Sequence, residues 1–243
     1  MNCKTILITG SAKRIGADIA RGLHMRGHNI IIHYYRSENE ARNLAIELNE
    51  SRPDSVIACQ ADLAAVKNCR DLIDKAYQFK QQLDVVINNA AVFYSTPLEE
   101  LDETSWDNMI QVNLRAPLFL ARAASKYLTD VSGSIINITD IHGERPLKNF
   151  LAYSVSKAGL VMLTKSLAKE TGPSIMVNGI SPGAIFWHEN MSDKVKQDIL
   201  AKTVFGRTGT GKDILDAVIY LVENNEYMTG QIMTIDGGRT LYS

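Results

Sequence analysis

Residues 5–16 read Thr5-Ile6-Leu7-Ile8-Thr9-Gly10-Ser11-Ala12-Lys13-Arg14-Ile15-Gly16: an apolar run, a turn bounded by glycines, and the start of a helical pattern. A run apolar on both sides suits a strand covered on both faces of a parallel sheet. Outward from it, similar runs recur at 29–33, 55–59, 85–87, 134–138, 176–180 and 231–235. Helical patterns at 15–26, 38–49, 67–78, 106–126, 151–170 and 212–222 lie between them. Strand–helix alternation of this kind predicts an α/β fold, a doubly wound parallel sheet forming a single domain over 1–243. Residues 184–211 break the alternation, and an insertion there is the natural place for a substrate loop. In 151–170, Ala158, Val161, Met162 and Lys165 continue one stripe while Leu160, Leu163 and Leu167 continue the next. A helix apolar on both sides is expected to be buried or to pack on a partner.

Composition narrows the function classes. The 243 residues, 45% of them hydrophobic, can bury a core without disulfide or metal. The 26 basic and 27 acidic residues leave no electrostatic footprint for nucleic acid or an anionic membrane. No apolar stretch is long enough to span a bilayer, and the run at 5–9 is too short for a signal-peptide core. Cys3, Cys59 and Cys69 show no C-x-x-C spacing and read as reduced thiols of a cytoplasmic protein. No metal site is expected.

The turn after the first strand is the first candidate site. Gly10 and Gly16 would let a pyrophosphate approach the backbone at a helix N-terminus, or would simply serve a tight turn and close helix packing. Arg14 shifts that balance, because a cation in the first turn of a helix is unfavourable unless an anion is bound. The second strand ends His33-Tyr34-Tyr35-Arg36-Ser37, with no acid until Glu38. A free ribose 2′-hydroxyl calls for Asp or Glu there, whereas a 2′-phosphate calls for Arg. The reading is therefore NADP(H), with Ile15 beside Arg14 on the turn. Asp62-Leu63 either meets an adenine amino group or caps the next helix. Asn89-Ala90 supplies small residues near a nucleotide.

Tyr153 and Lys157 stand at i and i+4 on one helix face, where an ammonium is expected to lower the phenol pKa and fit it for proton exchange. Asn113 and the polar strand end at Asp140 accompany them. In this order the motifs resemble the short-chain dehydrogenase/reductase family over essentially the whole chain, from Thr9-Gly10 to Asp236-Gly237-Gly238. The resemblance implies a Rossmann-type domain in which Tyr153 is the acid, Lys157 holds the nicotinamide ribose, Asn113 fixes a relay water, and Pro182-Gly183 adjoin the cofactor.

Two departures from that family are informative. Most members carry glycine where Arg14 stands and a catalytic serine where Asp140 stands. A carboxylate aimed at a carbonyl oxygen would repel the developing charge, so Asp140 points to a nitrogen-rich substrate, unless it only caps a turn. Arg14, the run at 33–37 and Asp140 together resemble the pteridine reductase subgroup, including bacterial dihydromonapterin reductases. By that resemblance Phe93 would stack on a pterin or folate substrate, though it could also be plain core. Trp187 would contact the substrate or anchor the loop, and His188 is a further candidate contact. The resemblance also implies a homotetramer using the helices that begin at Trp106 and Leu151. Two alternatives remain: a 3-oxoacyl or other carbonyl reductase of the same fold, and a catalytically idle NADP(H) sensor.

Overall fold

The alternation expected from the sequence is realised as one seven-stranded sheet. The computed structural model describes residues 3–187 and 191–242. Strands β1 (Thr5–Ile8), β2 (Asn29–Tyr34), β3 (Val56–Gln60), β4 (Val85–Asn88), β5 (Ser134–Ile138), β6 (Met176–Pro182) and β7 (Ile232–Ile235) are all parallel, in the order β3-β2-β1-β4-β5-β6-β7. Successive side chains on a strand point to opposite faces. Ile6, Ile8, Ile30 and Ile32 accordingly enter one core, and Leu7 and Ile31 enter the other.

Helices α1 (Arg14–Met25) and α2 (Glu38–Ser51) cover the first face, joined by α8 (Gly211–Ile219), which packs on α1. The opposite face carries α3 (Val66–Lys80), α5 (Ala116–Asp130) and α6 (Leu151–Thr171). Between β4 and β5 the chain runs as α4 (Glu103–Ile110), a π-helical turn at Gln111–Arg115, and α5. That long helix was expected as one element at 106–126; the π turn within it is not visible in its apolar spacing. The strand order reverses between β1 and β4, and in open α/β sheets the crevice at such a switch point is where ligands bind.

Two segments depart from expectation. The segment 184–211 contains a helix, α7 (Asp193–Ala201), with Ser192 accepting the Val195 N–H at its start. It has no buried residue, which is why a core-based pattern did not reveal it. Helix α6 is only partly buried: Leu160, Val161 and Ala168 are buried, while Val155 and Met162 lie on the surface, as does Leu118 of α5. Among the described residues, no helix is long and apolar enough to cross a membrane, and no His/Cys/Asp/Glu group could hold a metal ion. Cys59 and Cys69 are buried, Cys3 is exposed, and all three are free.

Candidate active site

The turn after β1 is fixed by hydrogen bonds with the ends of two other strands, β2 and β4. Gly10, with φ of 62°, donates its N–H to His33 Nδ1 at 3.0 Å. Asn89 Nδ2 donates to Thr9 O and Gly10 O, at 2.9 and 3.0 Å, and Thr9 Oγ1 accepts the N–H groups of Asn89 and Ala90. A Cβ on Gly16 would stand 2.6 Å from Gly10 O, and one on Gly10 would stand 2.8 Å from Ala90 Cα. The backbone at Gly10 and Ser11 cannot yield, and the Asn89 amide, also 2.6 Å from a Gly16 Cβ, would lose its bonds to the turn if it moved. Gly16→Ala is expected to destabilise the protein by about 1–3 kcal/mol through overpacking and to weaken cofactor binding. Urea unfolding and an NADPH titration would check both effects together.

His33 is 1% exposed and spends both ring nitrogens on the protein, because Nε2 donates to Ala61 O at 3.1 Å. Burial pulls its pKa down to about 4, against a small upward pull from the Ala61 bond. The ring is therefore neutral at pH 7 and holds the turn rather than pairing with a phosphate. Its folded pKa lies below the unfolded value of about 6.5, so the unfolded chain binds the extra proton between these values. Stability is thus complete above about pH 6.5 and declines as pH falls toward 4, by up to about 3 kcal/mol from this group. Thermal melts across that window should show the decline in the wild type and a shallower one in His33→Gln.

The cations of the turn are deployed unequally. Lys13 is ion-paired with Glu40 at 2.6 Å. Arg14 Nη2 donates to Trp187 O at 3.3 Å, and its guanidinium lies 5.5 Å from the Phe186 ring centroid. Arg14 also takes φ of 54°, the left-handed region in which a non-glycine residue is strained by about 1 kcal/mol or more. Strain of this kind persists where the surroundings hold it, often at functional sites. Arg36 lies over the Tyr35 ring at 4.9 Å. Both tyrosines were candidates, but only Tyr35 lines the cleft; Tyr34 is buried in the core, and Ser37 stands at the start of α2 outside the cleft.

A single cleft of about 1030 Å³ runs from this turn to β6 and α7. That is the upper end of the range for small-molecule sites, enough for a dinucleotide and a small substrate. Gly10, Arg14, Ile15, Gly16, His33 and Arg36 line one end. Asp62, Leu63, Asn89 and Ala90 line the middle, and Tyr153, Lys157, Pro182 and Gly183 lie at the C-terminal side of the sheet. Asp62 Oδ1 accepts the Ala64 N–H in a local turn, while the residue at the head of α3 is Ala65. The glycine-walled cradle and the free length of the cleft fit a nicotinamide dinucleotide.

Tyr153, Lys157 and Asp140 meet within this cleft. Tyr153 Oη donates to Asp140 Oδ2 at 2.7 Å, while Asp140 Oδ1 accepts the His142 N–H at 2.8 Å. The carboxylate therefore caps the turn at Ile141–Gly143 with one oxygen and holds the phenol with the other. Lys157 is buried, and its Nζ donates to Ile138 O at 2.9 Å, 5.7 Å from the Tyr153 ring centroid. Burial raises the Tyr153 pKa well above 10, and the Asp140 charge adds to the rise. This corrects the expectation that Lys157 lowers it: the ammonium sits on a carbonyl, and the carboxylate is the phenol's direct partner. Burial also lowers the Lys157 pKa to about 8, opposed by Asp140, so the amine is mainly protonated at pH 7.

Asn113 is buried in the π turn and does not line the cleft. Its Oδ1 accepts the Val92 N–H, and Nδ2 donates to Val92 O and Ser156 Oγ, tying the loop after β4 to α6. Phe93 stacks on Phe150 with centroids 4.6 Å apart and meets Tyr153 edge-on at 4.6 Å. Phe150 precedes α6 and carries no sequence motif; the Thr96–Phe150 bridge and the bonds of Ser95 and Thr96 to Asn149 O bring it to the Phe93 loop. Trp187 lines the cleft, as do Met191, Val195 and Ile199 beside and on α7. His188 lies outside the described residues.

Residues 10–240 match a family model described as enoyl-(acyl carrier protein) reductase. The chain is 33% identical to pteridine reductase 1 of Leishmania tarentolae over 97% of this chain and 96% of the relative. It is 31% identical to a 3-oxoacyl-(acyl-carrier-protein) reductase of Staphylococcus aureus over 97% of both chains. A 3beta-hydroxysteroid dehydrogenase 1 of Eggerthella lenta is 32% identical over 98% of this chain and 94% of its own length.

Proposed function

The chain belongs to the short-chain dehydrogenase/reductase family of oxidoreductases, and from that premise we propose that it is an NADPH-dependent reductase of dihydropterins. The observation that carries this reading is the hydrogen bond from Tyr153 Oη to Asp140 Oδ2. It puts a carboxylate beside the proton donor, where a carbonyl oxygen gaining negative charge would be repelled. A ring nitrogen gaining a proton would instead be favoured. The similarity to pteridine reductase 1 supports the same substrate class.

Bound NADPH would supply the hydride for the carbon of a ring C=N bond. Gly10, Gly16 and the N-terminus of α1 would receive its pyrophosphate, and Arg14 and Arg36 its 2′-phosphate. Lys157 would hold the nicotinamide ribose with a hydrogen not used on Ile138 O. Tyr153 would pass its hydroxyl proton to the neighbouring ring nitrogen. The phenolate left beside the Asp140 carboxylate would be short-lived, regaining its proton from solvent by way of Asp140, with the buried Lys157 ammonium, 5.7 Å from the ring centroid, offsetting the charge at longer range. Phe93 would present an aromatic face to the flat heterocycle, which favours stacking. Asn113 acts through its side chain by fixing the loop at Val92, so the relay water that the family resemblance implies would have to meet its backbone carbonyl in the π turn. The segment 184–211 serves as the substrate loop.

A carbonyl reductase reading rests on one observation, the comparable identity to the Staphylococcus aureus reductase. The two are separated by following NADPH oxidation with dihydrobiopterin, dihydromonapterin and an acetoacetyl thioester side by side. Turnover of a dihydropterin is expected; activity with the thioester alone would sink the pterin reading. The exposed Leu118, Val155 and Met162 on α5 and α6 would be covered in the homotetramer that the family resemblance implies, which we place in the cytoplasm, and sedimentation equilibrium would read its mass.

A further inference from the structure

We propose that Arg239 is the specificity-determining residue for the part of the substrate beyond the reducible group, and that it receives a negatively charged tail. The inference rests on the reading above only in taking the Tyr153 end of the cleft as the place of reduction.

The first observation is position. Arg239 follows β7 in a short 3-10 turn, Arg239–Leu241, and lines the same cleft as Tyr153 and Asp140. Its turn is seated between two substrate-side elements. Phe205, just beyond α7, donates its N–H to Gly237 O at 3.3 Å, and Arg145, in the segment after Asp140, donates to Tyr242 O at 3.5 Å. Arg239 therefore stands where α7 and the Asp140 segment converge. Lys13, Arg14 and Arg36 line the phosphate end, and Lys157 is buried against Ile138 O. Among the described residues, Arg239 is the remaining cleft arginine or lysine.

The second observation is that its charge has no partner among the described residues. Arg21, Arg26 and Arg42 each pair with a glutamate, and Arg52 and Arg115 bond backbone carbonyls. The half-buried Arg239 guanidinium makes no hydrogen bond or ion pair with any described residue. The nearest acid in sequence is not available to it. Asp236 Oδ1 accepts the Gly238 N–H at 2.9 Å and Oδ2 accepts the Thr240 N–H at 2.7 Å. Those bonds, with φ of 61° at Gly237 and 80° at Gly238, shape the turn and spend the carboxylate on backbone. What remains is a planar fork of donors in the cleft that holds Tyr153 and Asp140, suited to a carboxylate or a phosphate ester.

An anionic tail can come from two sources: the glutamate of a pteroyl substrate or the phosphates of a thioester carrier. Matched pairs separate them, dihydrofolate against dihydrobiopterin and acetoacetyl-CoA against acetoacetyl-N-acetylcysteamine. With Arg239→Leu, KM for the anionic member of the accepted pair is expected to rise about ten- to a hundredfold relative to its neutral counterpart. The effect should fall on KM rather than kcat, weaken with added salt in the wild type, and be partly restored by Arg239→Lys. A merely structural role would move both members alike. An unchanged anionic-to-neutral ratio overturns the proposal. If the wild type reduces only thioesters, the pterin reading fails while the thioester pair still decides the role of Arg239; turnover of neither class overturns both.

Discussion

Tyr153→Phe is expected to lower kcat by about a hundred- to ten-thousandfold, the span associated with losing a positioned general acid, while leaving the KM for NADPH within a few-fold. The variant keeps the ring that meets Phe93 edge-on and loses only the hydroxyl that donates to Asp140 Oδ2. Because burial and Asp140 hold the phenol well above its ordinary pKa, it enters the reaction as a proton donor and does not rest as phenolate. Burial brings Lys157, on the same helix face, down to a pKa of about 8. The free-enzyme profile of kcat/KM should therefore fall as pH rises through about 8, when the ammonium that offsets the negative charge developing on the phenol oxygen is lost. An unchanged kcat in Tyr153→Phe would refute its assignment as the acid.

The second large effect belongs to Arg14. Arg14→Ala is expected to raise the NADPH KM by about tenfold or more while moving the NADH KM much less, since a charge-assisted contact to the 2′-phosphate is lost. The same substitution removes the bond to Trp187 O. Equal changes with both cofactors would then assign Arg14 to holding the 186–187 segment rather than to the phosphate. Arg14→Gly sharpens the test. Glycine tolerates φ of 54° without the strain, so that variant should be as stable as the wild type or more so, by up to about 1 kcal/mol, yet lose the same preference. Steady-state kinetics with both cofactors and urea unfolding would read the two effects.

The sheet was legible because its strands are buried on both faces: Ile6-Leu7-Ile8 and Ile30-Ile31-Ile32 have no solvent side to carry polar residues. Tyr153, Lys157 and Asp140 were legible as a set, since i, i+4 spacing and the end of β5 bring them together. The direction of the Tyr153 shift was not, because spacing puts Lys157 near the ring without showing that its ammonium is committed to Ile138 O. Likewise, His33 looks like a phosphate contact in sequence, and only its two hydrogen bonds reveal a neutral strut beneath Gly10. Helix α7 and Phe150 escaped for a common reason: neither takes part in the strand and helix periodicity of the core, and both meet the cleft through loop packing.

The central claim is that hydride goes to a ring C=N carbon with Tyr153 supplying the proton. Reduction of dihydrobiopterin with NADPH deuterated at the transferring position of the nicotinamide, followed by NMR of the product, tests it directly. The account predicts deuterium on the ring carbon of the former C=N bond, the adjacent nitrogen carrying a solvent-exchangeable hydrogen, and near-complete loss of the labelled product in Tyr153→Phe. Deuterium on a side-chain carbon, or labelled product formed as fast by Tyr153→Phe, would contradict it.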